Sequence, residues 1–175
     1  MVFPKNDIQR IRVFLARVQA RPHDPDQPLR QQTCIRALLT IPGLTVHEGQ
    51  FLTTTRRLPL VNPPARGPKS AEVWTTEEKG SDVNLATHLL CDGYEKDYEA
   101  AIVVSNDSDL AFPIQVARQK FGVPMLVLNP YRYPNPQLKN ACTFVRQLRP
   151  GVLAASQFPP QLQDAAGVIT KPASW

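Results

Sequence analysis

Two hydrophobic periodicities alternate along this chain. Short apolar, β-branched runs at residues 11–18, 44–51, 100–104 and 123–128 predict strands. Between them lie segments with apolar residues at helical spacing. Residues 29–39 place Cys34, Ile35, Leu38 and Leu39 on one side, and Pro42-Gly43 closes that pattern. Leu85, Ala86, Leu89 and Leu90 form a second such face behind Gly80 and a capping Ser81, with Leu110, Ile114, Ala117 and Phe121 a third over residues 109–121, ended by Gly122. A short helix over residues 137–141 leads to a last short strand at residues 143–146. Strands alternating with helices of this length predict an α/β fold with a mostly parallel sheet. Ala100 to Val104 is apolar throughout, which suits a strand buried on both faces.

Two stretches break the alternation. Residues 53–76 have little helical signal and read as an insertion or a β-hairpin arm, returning as a strand through Val73 and Trp74. From Pro150 onward the Pro, Ala and Gln content predicts an irregular tail over residues 150–175, held by Phe158, Ile169 and Trp175. The chain therefore divides into a domain over residues 1–149 and that tail.

Composition adjusts this picture in three ways. The 18 prolines cluster in loops and in the tail. The formal charge of +5 is uneven: residues 1–70 hold 11 Lys/Arg against 4 Asp/Glu, and the remainder holds 9 against 11. The first part is the natural face for a polyanion, and Arg56, Arg57, Arg66 and Lys69 make the arm its most basic segment. The cysteines, Cys34, Cys91 and Cys142, are odd in number and lack metal-site spacing. Cys34 and Cys91 fall inside helical patterns, so buried free thiols are expected, in a reducing cytoplasm. No run approaches membrane-spanning length and no membrane partner is expected.

Candidate chemistry concentrates at Ser105-Asn106-Asp107-Ser108-Asp109, where the central strand stops and a helix begins. Ligands of open α/β sheets bind beyond the carboxyl ends of the strands. Two carboxylates there suit a hard divalent cation such as Mg²⁺, although one of Ser108 and Asp109 is equally suited to cap the helix. Asp82 admits two readings as well: a first-turn acid favoured by the helix macrodipole, or a third oxygen ligand meeting Asp107 and Asp109. His47 reads as a surface strand residue and His88 as a packed or exposed one. Tyr131, Arg132 and Tyr133 sit in a loop suited to base stacking.

At Lys79-Gly80-Ser81-Asp82-Val83-Asn84-Leu85-Ala86 and Ser105-Asn106-Asp107-Ser108-Asp109-Leu110 the sequence resembles NYN-domain proteins of the PIN-like nuclease superfamily, over about residues 11–149. The resemblance implies a Rossmann-like three-layer α/β/α domain. It also implies an acidic cluster that binds Mg²⁺ or Mn²⁺ and cleaves RNA through metal-activated water. Asp82 matches the helix-start acid, and Asp107 and Asp109 match the strand-end pair, with Asp107 the direct ligand. Ser105 and Asn106 would orient substrate or water, while Lys79, Arg56 and Arg57 would contact RNA; a homo-oligomer is compatible with the fold. The chain departs from the family at its beginning. Members open with an apolar strand ending in Asp, whereas the first strand here, at Ile11, matches the family's second. The resemblance therefore implies an N-terminally truncated fold lacking a central strand, flanked by residues 11–18 and 101–105, and lacking one acid. The implied function is a metal-dependent endoribonuclease, impaired or replaced by a non-catalytic RNA-binding or protein-interaction module.

Overall fold

The computed structural model describes residues 7–21 and 24–173. Ile11–Ala16 (β1) and Leu44–Pro59 (β2) pair in parallel, from Ile11 opposite Leu44 to Ala16 opposite Gly49. The crossover between them is helix α1, Gln27–Leu39, which starts with a proline in its first turn, where no backbone donor is lost. Parallel neighbours require such a crossover.

β2 does not stop near residue 51. It runs on to Pro59, turns through residues 60–69 and returns as β3, Ser70–Lys79, in antiparallel register from Gln50 opposite Lys79 to Pro59 opposite Ser70. Of the two readings of this segment, an insertion or a β-hairpin arm, the structure shows the hairpin arm, as a long two-stranded ribbon. Threonines stiffen it: the hydroxyls of Thr53 and Thr76 lie 3.1 Å apart, and those of Thr54 and Thr75 3.3 Å apart.

Gly80, at φ +97°, turns the ribbon into helix α2, Ser81–Tyr94. That left-handed conformation favours glycine and makes Gly80, rather than the expected Ser81, the residue before the helix. The Ser81 hydroxyl instead donates to Glu78. Beyond α2 come β4, Ala101–Val104, a single 3-10 turn, Ser108–Leu110, and α3, Ala111–Phe121. Then follow β5, Met125–Asn129, α4, Pro136–Ala141, and β6, Phe144–Gln147. β4, β5 and β6 form a parallel sheet in that order, with Ile102, Leu126 and Phe144 in one row.

One face of this sheet carries the core. Val103 and Val127 meet Leu89 of α2, Ile114 and Ala117 of α3, and Leu138 and Ala141 of α4. Each is almost fully shielded, and apolar burial of this kind is the main favourable term in folding. No ladder joins β1 to β4 among the described residues; the protein is a mixed α/β fold whose two three-stranded sheets are β1-β2-β3 and β4-β5-β6. Helix α2 packs against both, touching β1 and β2 as well as α3 and the 3-10 turn.

Residues 150–173 are not the irregular tail expected from composition. They form α5, Pro150–Ala155, and a hairpin of β7, Gln161–Asp164, with β8, Gly167–Thr170. Ile169 is buried, and Asp164 takes a two-pronged ion pair from Arg36 of α1 at 2.8 and 2.6 Å. Trp175, an expected anchor, and the polar residues 1–6 lie outside the described residues. Cys142 is buried and Cys34 half-buried, but Cys91 is exposed, against expectation. Among the described residues no helix is long and apolar enough to cross a membrane.

Candidate acidic site

The loop after β4 is built by its own polar side chains. The Asp107 carboxylate accepts the Asp109 backbone N–H at 2.9 Å and so starts the 3-10 turn. The capping residue is therefore Asp107, not Ser108 or Asp109. The Asp107 N–H in turn donates to the Ser105 hydroxyl oxygen at 3.0 Å. Buried Leu110 pins the end of the turn, leaving Asp107 and Asp109 exposed to solvent.

Asp82 approaches from a different part of the chain. It lies in the first turn of α2, which packs against the 3-10 turn. Its carboxyl is pushed above the usual range by partial burial and by the carboxylates of Asp107, Glu78 and Asp109. Like charges that crowd a group favour its neutral form. Among the described residues no lysine or arginine forms an ion pair with Asp82, Asp107 or Asp109. Uncompensated carboxylates with free oxygens have the donor chemistry of a hard divalent cation. The three do not converge fully, however. Among the described residues, the group of carboxylates whose oxygens do lie within 4.8 Å of one another is Asp92, Glu95 and Asp97, at the opposite end of α2.

That second acidic group is matched by cations. Arg12 of β1 grips Asp92 with two hydrogen bonds, at 2.8 and 2.7 Å, and Arg10 pairs with Asp97 at 2.7 Å. Burial alone would raise the Asp92 carboxyl, but the hydrogen bond and charge of Arg12, with Arg10 beyond, hold it below its ordinary value. His47, expected on the surface, instead packs here. Its ring stacks on Phe14 with centroids 5.1 Å apart and lies 4.2 Å from the ring of His88.

Asparagines shape the ground beside Asp107. Both ends of the Asn106 amide are occupied, the oxygen by the Asn135 N–H at 2.7 Å and the nitrogen by the Tyr133 carbonyl at 3.4 Å. Fully buried Asn129 accepts from the Tyr131 N–H and donates to the Tyr131 carbonyl. Together they fix the loop after β5, so that Tyr131 and Pro130 face Ser105, Asn106 and Asp107 across an open cleft. Tyr133 is exposed, with the Arg132 guanidinium 5.3 Å from its ring centre.

The expected RNA-contacting cations separate into two groups. Glu77 takes both Lys79, at 2.6 Å, and Arg56, at 2.8 Å. Arg57 sits opposite Glu72 on the other face of the ribbon and makes no ion pair among the described residues. Seven residues separate Arg57 from the ribbon base at Gln50, roughly 23 Å at about 3.3 Å per residue, so it stands well away from the acids.

Several residues of this region gave little sign of themselves in the sequence. Glu78, beside Asp82, was one of two adjacent glutamates, and only the strand's face alternation separates it from Glu77. Asn129 and Asn135 read as ordinary loop residues, although Asn-Pro steps on both sides of the tyrosines signal an ordered turn.

Residues 5–148 match the NYN domain family. A curated relative, 6-hydroxy-3-succinoylpyridine 3-monooxygenase of Pseudomonas putida, is 30% identical over 138 residues, covering 73% of this chain and 44% of that protein. The chain thus spans less than half the length of that relative. A crystal structure of a Vibrio parahaemolyticus protein of unknown function is similar at a TM-score of 0.47 and 15% identity, over 78% of this chain and 67% of the other.

Proposed function

The chain belongs to the NYN-domain family of the PIN-like nuclease superfamily, and from that premise we propose that it acts on RNA at Asp82, Asp107 and Asp109 as a metal-dependent endoribonuclease. The observation that carries this reading is geometric: the first turn of α2, which bears Asp82, packs against the 3-10 turn at Asp107 and Asp109, and among the described residues no lysine or arginine pairs with these acids. Partial burial first, and then the charges of Asp107, Glu78 and Asp109, push the Asp82 carboxyl up. Mg²⁺ or Mn²⁺ would be held by Asp82, Asp109 and the Asp107 oxygen that does not cap the 3-10 turn, with Glu78 in reserve. Such an ion supplies a water acidified enough to attack a phosphodiester and neutralises charge at the phosphate. Ser105, whose oxygen already accepts from Asp107, keeps its hydroxyl hydrogen for a phosphate oxygen or water. Asn106 acts by holding the neighbouring loop. Tyr131, across the cleft, offers a ring to a base, and Arg57 holds a distant part of the strand by charge.

The finer fold assignment is a Rossmann-like three-layer domain whose sheet lacks a strand between β1 and β4. Two observations support it. The sheet is divided between those strands. Ile102 and Val104, apolar positions suited to a covered strand, are 38% and 57% exposed. The incomplete convergence of the acids favours one alternative, an RNA-binding module that does not cut. The monooxygenase name of the Pseudomonas relative suggests a different substrate class, a nitrogen heteroaromatic ring.

Labelled single-stranded RNA incubated with Mn²⁺ tests the first reading. Cleavage that stops in Asp107→Asn, while RNA affinity stays equal or rises, supports it; cleavage unchanged in that variant removes Asp107 from the mechanism. A version extended upstream that cuts when this chain does not would assign the deficit to a missing strand and acid. Salt-sensitive binding without cleavage by either form would favour the binding module.

A further inference from the structure

Beside the Asp107–Asp109 loop an open groove runs between α3 and α4, sharing no lining residue with the cleft at Tyr131. Its walls are Phe112 and Gln115 from α3 and Gln137 and Asn140 from α4, and the small side chains of Ala111 and Ala141 keep it open. Ser108, the residue between the two carboxylates, stands at one end. The groove is therefore continuous with the acidic loop and distinct from the cleft beside Tyr131.

Three features of the groove point to one kind of occupant. First, its lining contains no charged side chain, so it has nothing to neutralise a phosphate or a carboxylate. Second, the side-chain amides of Gln115, Gln137 and Asn140 make no hydrogen bond among the described residues. Each presents a donor and an acceptor together, the pattern that pairs with the edge of a nucleobase. Third, Phe112 is 73% exposed at the start of α3 and takes part in no ring contact among the described residues. A large bare aromatic ring beside unpaired amides suits a flat ring that stacks on one side and hydrogen-bonds at its rim.

We propose that this groove is a base-binding subsite, taking one uncharged nitrogen-heteroaromatic ring by stacking on Phe112 and reading its rim with Gln115, Gln137 and Asn140. The ring class is the claim, and a nucleobase of an RNA strand is its source. Only that choice of source rests on the ribonuclease reading, because ring binding itself needs neither the acids nor a metal. With a strand bound, the base in the groove lies beside the phosphate at Asp107 and Asp109, so the amides would set which base flanks the site.

The test measures binding with the metal chelated, so that it does not depend on cleavage. Five-residue oligoribonucleotides of each base and free uracil are titrated into the full chain, with Kd taken by calorimetry. The side-chain amide signals of Gln115, Gln137 and Asn140 are followed by NMR. The expected result is that the three amide signals shift with the preferred oligonucleotide. Phe112→Ala should weaken it by about tenfold, the scale of one stacked base, and Asn140→Asp should reorder the base preference. Both sites are open to solvent, so unchanged melting temperatures would separate lost binding from lost folding. Competition by free uracil would show that the ring alone suffices, and its absence that the base must belong to a strand; either agrees with the proposal. Wild-type protein that binds none of these probes overturns it. So does tight binding that leaves the groove signals, the Phe112→Ala affinity and the base ranking unchanged. Asp107→Asn should retain the base preference, so a failed nuclease would still report on the groove.

Discussion

Gly93 of α2 lies against Phe121 of α3 with no room for a side chain, and Gly93→Ala probes that packing directly. In an open helix this change would stabilise the protein by about 0.8–1 kcal/mol through helix propensity. Here an added Cβ would overlap the edge of the Phe121 ring and come within 2.7 Å of the Tyr98 hydroxyl. That hydroxyl donates to the Leu89 carbonyl at 2.8 Å, and Phe121 meets Tyr94 edge-on with centroids 5.0 Å apart. Overpacking of this kind costs about 1–3 kcal/mol, and a displaced Tyr98 hydroxyl forfeits about 1 kcal/mol more. The propensity gain offsets only part of this, leaving a net loss of about 1–3 kcal/mol. At roughly 2–4 °C per kcal/mol for a chain of this size, Tm should fall by several degrees. Gly151→Ala is the control: it lies in α5 with nothing within 4 Å of the added Cβ, so it should melt at or slightly above the parent temperature. Thermal unfolding of the three proteins decides the matter. A Gly93→Ala variant as stable as the parent, or a Gly151→Ala variant equally weakened, would refute the claim that Phe121 and Tyr98 close this space.

Other consequences are open to measurement. Asp82→Asn removes one of several crowded carboxylates, so it should abolish metal-dependent cleavage while leaving Tm unchanged or raised at low salt; a marked loss of stability would contradict the crowding. His47 is held below its ordinary value of 6.5 by burial and by the charges of His88 and Arg12, against the pull of Asp92. The unfolded chain then binds the proton first, so this contribution to stability is intact above about pH 6.5 and is lost as pH falls through it. Urea titrations at pH 7.5 and 5.5 should show a smaller acid loss in His47→Gln than in the parent, and equal losses would remove His47 as the cause. Arg57→Ala should weaken RNA binding and reduce its salt dependence by about one ion, more than Arg56→Ala, whose cation already faces Glu77. The reverse order would place the RNA on the other face of the ribbon.

What the sequence disclosed followed from local periodicity, and what it concealed depended on partners far along the chain. Leu110, Ile114, Ala117 and Phe121 repeat at helical spacing and Gly122 stops them, so α3 was legible almost to the residue. β4 was legible as a strand from its apolar run, but not the burial on both faces expected of it, since Ile102 and Val104 are exposed. The family was legible from the two acid-bearing motifs. The length of β2 was not, because Thr53-Thr54-Thr55 suits a ribbon and a loop equally and only the pairing with β3 decides between them. The neutralisation of Arg56 and Lys79 by Glu77 arises from that same cross-strand register. The hairpin of β7 and β8 was hidden by a polar composition, its anchor being the contact of Asp164 with Arg36, 128 residues away. Asp107 as the cap, rather than a neighbour, was a choice among three oxygens that sequence spacing does not rank.

The same distinction explains how the candidate site is held. Asp107 and Asp109 are carried by the β4-β5-β6 sheet, since their turn follows β4 and is pinned by buried Leu110. Asp82 is carried by α2, whose start is set by the Gly80 turn from β3 and whose far end is tied to β1 through Arg12 and Asp92. Ten residues of helix separate Asp82 from Asp92, about 15 Å at 1.5 Å per residue. A change in the seating of Asp92 on Arg12 can therefore move Asp82 as one end of a stiff rod. Among the described residues no strand pairing joins the β1-β2-β3 and β4-β5-β6 sheets, so the distance between Asp82 and the other two acids is set by side-chain packing, chiefly Leu89 against Val103 and the Gly93 contact with Phe121. Packing of this kind is firm against small displacements yet has no ladder of backbone hydrogen bonds to fix register. The spacing of the acids is thus the part of the site most exposed to substitutions remote from it. Gly93, at the opposite end of the helix from Asp82, bears on the spacing of the acids through the same contact that bears on stability.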